Sequence, residues 1–173
     1  IIYKLKMSSS NEKVEAKKFP LKKDEAFRRK EQIIDKEGNY LVKYNLILSI
    51  RLSTDKNPKF PDNDFEGRME IDFTYYDTKQ EDIFLNFCGT IQSIQINSKP
   101  TTVNYKDKRI YLSHLDLICG AKNHVVILFS TKYGTSGAGL HHFIDPIDKK
   151  EYLYTQFEPY DCKLVFLVFD YPN

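Results

Sequence analysis

The chain has 173 residues, of which 41% are hydrophobic and 29% charged; this suits one domain with its own core and excludes a disordered or fibrous polymer. The net charge of +2 is unevenly spread, with eleven Lys/Arg against six Asp/Glu over residues 1–36 and 15 against 18 over the remainder. There is no Trp, but twelve Tyr and twelve Phe supply bulk that favours strands.

Residues 1–20 read as a basic, flexible tail ending at Phe19-Pro20, a stretch that could touch an acidic surface. The stretch "LKKDEAFRRKEQIID" (21–35) predicts the one short N-terminal helix, with Asp24 and Glu25 near its start, Ala26, Arg29 and Ile33 on one face, and Gly38 beyond its end. The opening "IIYKLKMSSS" lacks the apolar core of a signal peptide, and no apolar run approaches the roughly 18 residues of a membrane span.

From residue 40 the apolar period changes to two. In "YLVKYNLILSIRL" the residues Val42, Tyr44, Leu46, Leu48, Ile50 and Leu52 fall on one face. "FEGRMEIDFTYY" repeats the device, with Phe65, Met69, Ile71, Phe73 and Tyr75 opposite Glu66, Arg68, Glu70, Asp72 and Thr74. Shorter strands are expected at 83–87, 91–96, 102–105, 109–112, 124–131, 141–144, 151–156 and 164–169, with turns at Asn97–Pro100 and Gly120–Asn123. The predicted fold class is all-β: an antiparallel β-sandwich or saddle-shaped sheet with one short N-terminal helix, over a single domain from 21 to 173.

Most chemistry is absent from the pattern. Cys88, Cys119 and Cys162 are odd in number and share no C-x-x-C spacing, so neither a disulfide framework nor a zinc knuckle is indicated. With no N-x-S/T sequon either, an intracellular, cytoplasmic setting is expected. His141 and His142 are adjacent, so in a strand they point to opposite faces and cannot share a metal. "GTSGAG" (134–139) fits neither G-x-S-x-G nor G-x-G-x-x-G and reads as a flexible loop. Aromatic and Lys residues do not interleave as a nucleic-acid platform requires. What remains is "TQFEP": Gln156 and Glu158 lie two apart, so an extended backbone turns both to one side. A carboxylate beside an amide carbonyl is an acceptor pair suited to a primary ammonium group.

The run "GLHHFIDPIDKKEYLYTQFEPYDCKLVFLVFDYP" resembles the N-terminal domain of aminopeptidase N-type zinc aminopeptidases, whose pattern there is G-L-H-R-F-x-D-P-x-D, Y-x-Y-T-Q-F-E and D-A-R-R-x-F-x-C-F-D-x-P. "LKKDEAFRR", "FEGRMEIDF" and "INSKPTTVNYKDKRIYL" resemble further segments of that domain, in order, so the resemblance covers about residues 19–173. It implies a saddle of β-sheet that does no chemistry but closes one side of an active site. It also implies that Gln156 lines the pocket for the first side chain of a substrate and that Glu158 helps hold the free α-amino group. The chain departs from the pattern at Asp161-Cys-Lys-Leu164, where the paired Arg is reduced to Lys163, at Tyr171 before Pro172, and at His142. These changes remove bidentate donors.

H-E-x-x-H is absent, so the chain is expected to be no enzyme on its own and to carry no cofactor; the zinc of the family belongs to a catalytic domain. In the family, further strands of this domain follow F-D-x-P, so the sandwich is expected to be incomplete at its end. The expected role is a non-catalytic component of a larger assembly, with protein partners completing an open sheet edge and an acidic surface for the tail. The alternative expectation is the substrate-rim domain of a zinc aminopeptidase. No nucleic-acid partner and no membrane span are expected.

Overall fold

The computed structural model describes residues 2–8 (backbone only), 32–33, 42–50, 64–76, 79–158 and 160–169. The expected helix at 21–35 lies outside them except for Gln32 and Ile33, which form a turn; both side chains are buried. Among the described residues, eleven strands run in chain order: β1 Ile2–Ser8, β2 Val42–Ser49, β3 Asp64–Thr74, β4 Ile83–Asn86, β5 Thr90–Ile96, β6 Lys99–Pro100, β7 Asn104–Lys106, β8 Arg109–Leu112, β9 Lys122–Lys132, β10 Gly139–Ile144 and β11 Glu151–Gln156. A 3₁₀ turn, Asp161–Leu164, follows. Among the described residues, no helix is long and apolar enough to cross a membrane.

The fold is all-β and every named strand pair is antiparallel. A six-stranded sheet has the order β1-β2-β3-β9-β5-β6; β4-β8-β7 form a second sheet and β10-β11 a hairpin. Strand β1 falls in the stretch that reads from sequence as a tail: Tyr3, Leu5 and Met7 take register positions opposite Leu48, Leu46 and Tyr44. Their spacing of two is a strand signal that the surrounding lysines obscure.

The alternation of β3 sorts its residues strictly. Phe65, Gly67, Met69, Ile71 and Phe73 are buried, while Asp64, Glu66, Arg68, Glu70, Asp72 and Thr74 are partly exposed. Val125, Ile127 and Phe129 of β9 join them in one core cluster with Leu46, Leu48, Ile94, Ile83, Leu85, Ile110 and Leu112 from the flanking strands. The connecting turns are tight for a local reason. Asn97 and Ser98 have φ of 52° and 66°, and Asp107 and Lys108 have φ of 54° and 59°. Two successive left-handed residues make the turn whose twist matches a two-residue hairpin.

The expected strand at 164–169 is not one. Leu164 closes the 3₁₀ turn, and Val165, Phe166, Leu167 and Phe169 are all buried, with only Val168 bridging to Asn86. Side chains that go inward at consecutive positions cannot follow a period of two. This segment plugs the core: Phe169 meets Phe73 edge-on at 5.2 Å and its N–H donates to the Tyr44 hydroxyl at 3.2 Å.

The outer face of the large sheet carries two carboxylate clusters. Asn45 donates to Glu70 at 2.6 Å and Arg68 pairs with the same carboxylate, and these bonds hold Glu70 below the usual range. Burial raises Asp72, but hydrogen bonds from His124 (2.7 Å) and Lys122 (3.2 Å) outweigh it, so this carboxyl also sits low. A folded-state value below the unfolded one stabilises fully above the unfolded value of about 4 and is lost as pH falls through the folded value. The urea midpoint should therefore be flat above about pH 5 and fall on further acidification; Asp72→Asn should make that acid limb shallower, and an unchanged limb would disprove the assignment.

Gly67 stands opposite Phe129 in the β3–β9 register, and a Cβ there would meet the Phe129 ring at 2.1 Å. Gly67→Ala is expected to destabilise by about 1–3 kcal/mol, the usual cost of overpacking, read as a lower urea midpoint at unchanged slope.

Candidate functional site

The C-terminal hairpin is built by its turn. Asp145 Oδ1 accepts the Ile147 N–H at 2.7 Å and Asp148 Oδ1 accepts the Lys150 N–H at 2.9 Å, local bonds that Asp makes readily. The Lys149 N–H donates to the Asp145 carbonyl and the Asp145 N–H to the Lys150 carbonyl. "IDPIDKK" thus sets the register of β10 on β11: Gly139 with Gln156, His141 with Tyr154 and Phe143 with Tyr152.

The hairpin has two unlike faces. His142 and Glu151 pair at 2.8 Å with both side chains mostly covered, beside buried Leu140 and half-buried Leu153; Tyr133 packs its ring on His142 at 5.1 Å. The opposite face shows His141, Phe143, Tyr152 and Tyr154. Their rings touch in sequence: His141–Tyr154 at 4.7 Å, Phe143–Tyr152 stacked at 5.3 Å and Phe143–Tyr154 edge-on at 6.4 Å. Phe143, Tyr152 and Tyr154 remain 39%, 40% and 45% exposed. The Tyr152 hydroxyl donates to Asp148 at 2.6 Å, a bond that lowers the Asp148 carboxyl and raises the phenol.

Gln156 ends β11 on this same outer face, two residues beyond Tyr154 and opposite Gly139, which has no side chain to cover it. Phe157 turns inward, edge-on to Phe166 at 5.7 Å, and the Asp161 N–H closes the turn on the Phe157 carbonyl at 2.8 Å. Gln156 and Glu158 are both exposed on either side of this anchored ring.

The loop 134–139 is pinned at both ends. The Gly134 N–H donates to the Leu140 carbonyl at 2.7 Å, the His142 N–H to the Gly134 carbonyl at 3.3 Å and the Gly137 N–H to His141 Nδ1 at 3.1 Å. It lines a cleft of about 420 Å³ with Asp64, Cys88, Thr90 and Ser130. Thr131 ties the same region to the 3₁₀ turn through a 3.1 Å bond to the Leu164 carbonyl. Nothing in "GTSGAG" discloses these bonds, because their partners belong to β10. The ring ladder was equally hidden in the sequence; its one signal was the Tyr152–Tyr154–Gln156 spacing, whose exposed side depends on the register.

The four histidines are dispersed. His114 pairs with Asp82 at 2.9 Å, His124 with Asp72, His142 with Glu151, and His141 accepts from Gly137. Among the described residues, no three His, Cys, Asp or Glu converge as metal ligands. The described residues alone thus offer no set of the three protein ligands that a catalytic zinc needs.

No family model matches the chain. Aminopeptidase N of Streptomyces lividans is 35% identical over 86 residues, which are 49% of this chain and 10% of that protein. Among solved structures, Legionella pneumophila aminopeptidase A in complex with aspartic acid superposes with a TM-score of 0.51 at 13% identity, over 61% of this chain and 12% of that one. The findings support an aminopeptidase N-terminal-domain-like protein. The chain spans about a tenth of the length of each of these two proteins.

Proposed function

We propose that this chain is the non-catalytic β domain that forms the substrate rim of a zinc aminopeptidase, holding the free amino end of a peptide at Gln156 and Glu158. The supporting observation is the presentation of this pair: both side chains are exposed at the open end of the hairpin, flanking an anchored Phe157. A carboxylate and an amide carbonyl offer only acceptors to an incoming ammonium. Selectivity for an unblocked end follows, because a blocked one leaves those acceptors without their donors. The zinc and the residue that activates water lie on this reading outside the chain.

A titration of the chain with alanine amide and with its N-acetyl form, followed at the Phe157 backbone amide, tests the reading. The free form should bind about tenfold tighter or better, the worth of one charged hydrogen bond, and Glu158→Gln should erase the difference. Equal binding of the two forms by the unmodified chain would sink the proposal.

A second reading is an interaction component of a larger assembly, favoured by the outer edge of β11. Among the described residues no strand pairs there, leaving backbone groups open to strand addition by a partner. The basic residues within 1–36 would suit an acidic partner surface. The transcript separates the two readings: H-E-x-x-H downstream in the same frame supports the rim domain, and a mature product without it supports the interaction component. Under both, zinc analysis of the isolated chain should give no stoichiometric metal, and chelator-sensitive turnover of an aminoacyl amide would overturn both.

A further inference from the structure

We propose that the outer face of the β10–β11 hairpin is a platform for the residues that follow a peptide's free amino end, and that it selects peptides with Lys or Arg at those positions. The inference rests on the assignment of Gln156 and Glu158 as the acceptors for that amino end. Gln156, Tyr154 and Tyr152 alternate onto one face of β11, so the acceptor pair continues directly into the ring ladder of His141, Phe143, Tyr152 and Tyr154. From Gln156 to Tyr152 the face extends roughly 13 Å at about 3.3 Å per residue, enough for an extended segment of about four residues.

The occupant is argued from charge. Aromatic faces present negative π density, and a guanidinium or ammonium over them is attracted electrostatically. Tyr152 and Phe143 are stacked only 19° from parallel, and with Tyr154 they stay 39–45% exposed, so ring surface is available to an incoming side chain. Both ends of the platform add acceptors. Glu158 lies at one end, and Asp148, whose carboxyl is bound by the Tyr152 hydroxyl at 2.6 Å and has the Lys150 ammonium at 4.0 Å, lies at the other. Lys149 and Lys150 follow in the turn, so the preference for positive charge ends there. The fold already uses a pairing of this kind elsewhere: the Arg109 guanidinium sits 4.3 Å over the Phe84 ring.

The test titrates the chain, at low salt, with Ala-Ala-Arg-Arg amide and Ala-Ala-Glu-Glu amide, each with a free and an acetylated amino end. The Arg peptide is expected to bind about three- to tenfold tighter than the Glu peptide, the range for one or two exposed cation–π contacts. Tyr154→Ser should remove most of that preference and Tyr154→Phe should keep it; matching thermal melts for the two variants separate a lost contact from a lost fold. If acetylation weakens binding but the Arg and Glu peptides bind alike, the platform is disproved while the acceptor pair stands. If neither change matters, the acceptor pair fails and the platform with it. Self-association that Tyr154→Ser abolishes, without peptide preference, would assign the face to a second copy of the chain and overturn the proposal.

Discussion

The ring of Phe129 lies across Gly67 and meets Phe87 edge-on at 5.0 Å, and most of the architecture is arranged around that contact. Gly67 has no side chain, so the ring of its cross-strand partner can occupy the space above it. Phe87 follows β4, so the same ring joins the large sheet to the second one. The pairing of β3 with β9 extends for eleven residue pairs through this point, from Asp64 with Lys132 to Thr74 with Lys122. Long-range pairing of this length is closed at an entropic cost, and burying three aromatic rings and their aliphatic neighbours offsets it.

The placement of the hairpin depends on that frame. Strand β9 runs out to Tyr133, which is buried against Phe65 at 5.0 Å and covers His142 with its other contact. Leu140, His142 and Leu153 on the inner face of the hairpin are thereby packed, while the rings of the other face stay partly exposed. The segment after Phe157 takes the remaining interior space: Val165 to Phe169 fill the core, and the Cys88 N–H binds the Lys163 carbonyl at 2.9 Å. The exposed Gln156 and Glu158 flank Phe157, whose ring is anchored on Phe166, and Gln156 is also held by its pairing with Gly139.

The four histidines are each engaged in a local hydrogen bond. Three of the four are each held by a single carboxylate, in different parts of the fold, and the fourth accepts a backbone N–H that shapes the 134–139 loop. Side chains committed in this way fix local geometry. The likeness to an aminopeptidase reaches this chain over about half its length in sequence.

The sequence by itself determined which residues of β3 face inward, because apolar and polar residues alternate there without competition. It also placed Gln156 on a strand and put His141 and His142 on opposite faces. Glu158, however, reads in it as continuing the extended segment, whereas β11 ends at Gln156 and Glu158 lies in the turn closed by the Asp161 N–H on the Phe157 carbonyl. The sequence did not determine β1, whose lysines mask a strand that only β2 defines, or the 161–169 segment, whose apolar run reads as a strand but fills the core. Nor did it say which face of β10–β11 meets water. Tyr152, Leu153 and Tyr154 put bulky rings or apolar groups on both sides, and the choice falls to Tyr133, Phe166 and the core, which are brought there by contacts distant in the chain. Alternation is a local property of the backbone, readable along the sequence, whereas burial is decided by what arrives from elsewhere.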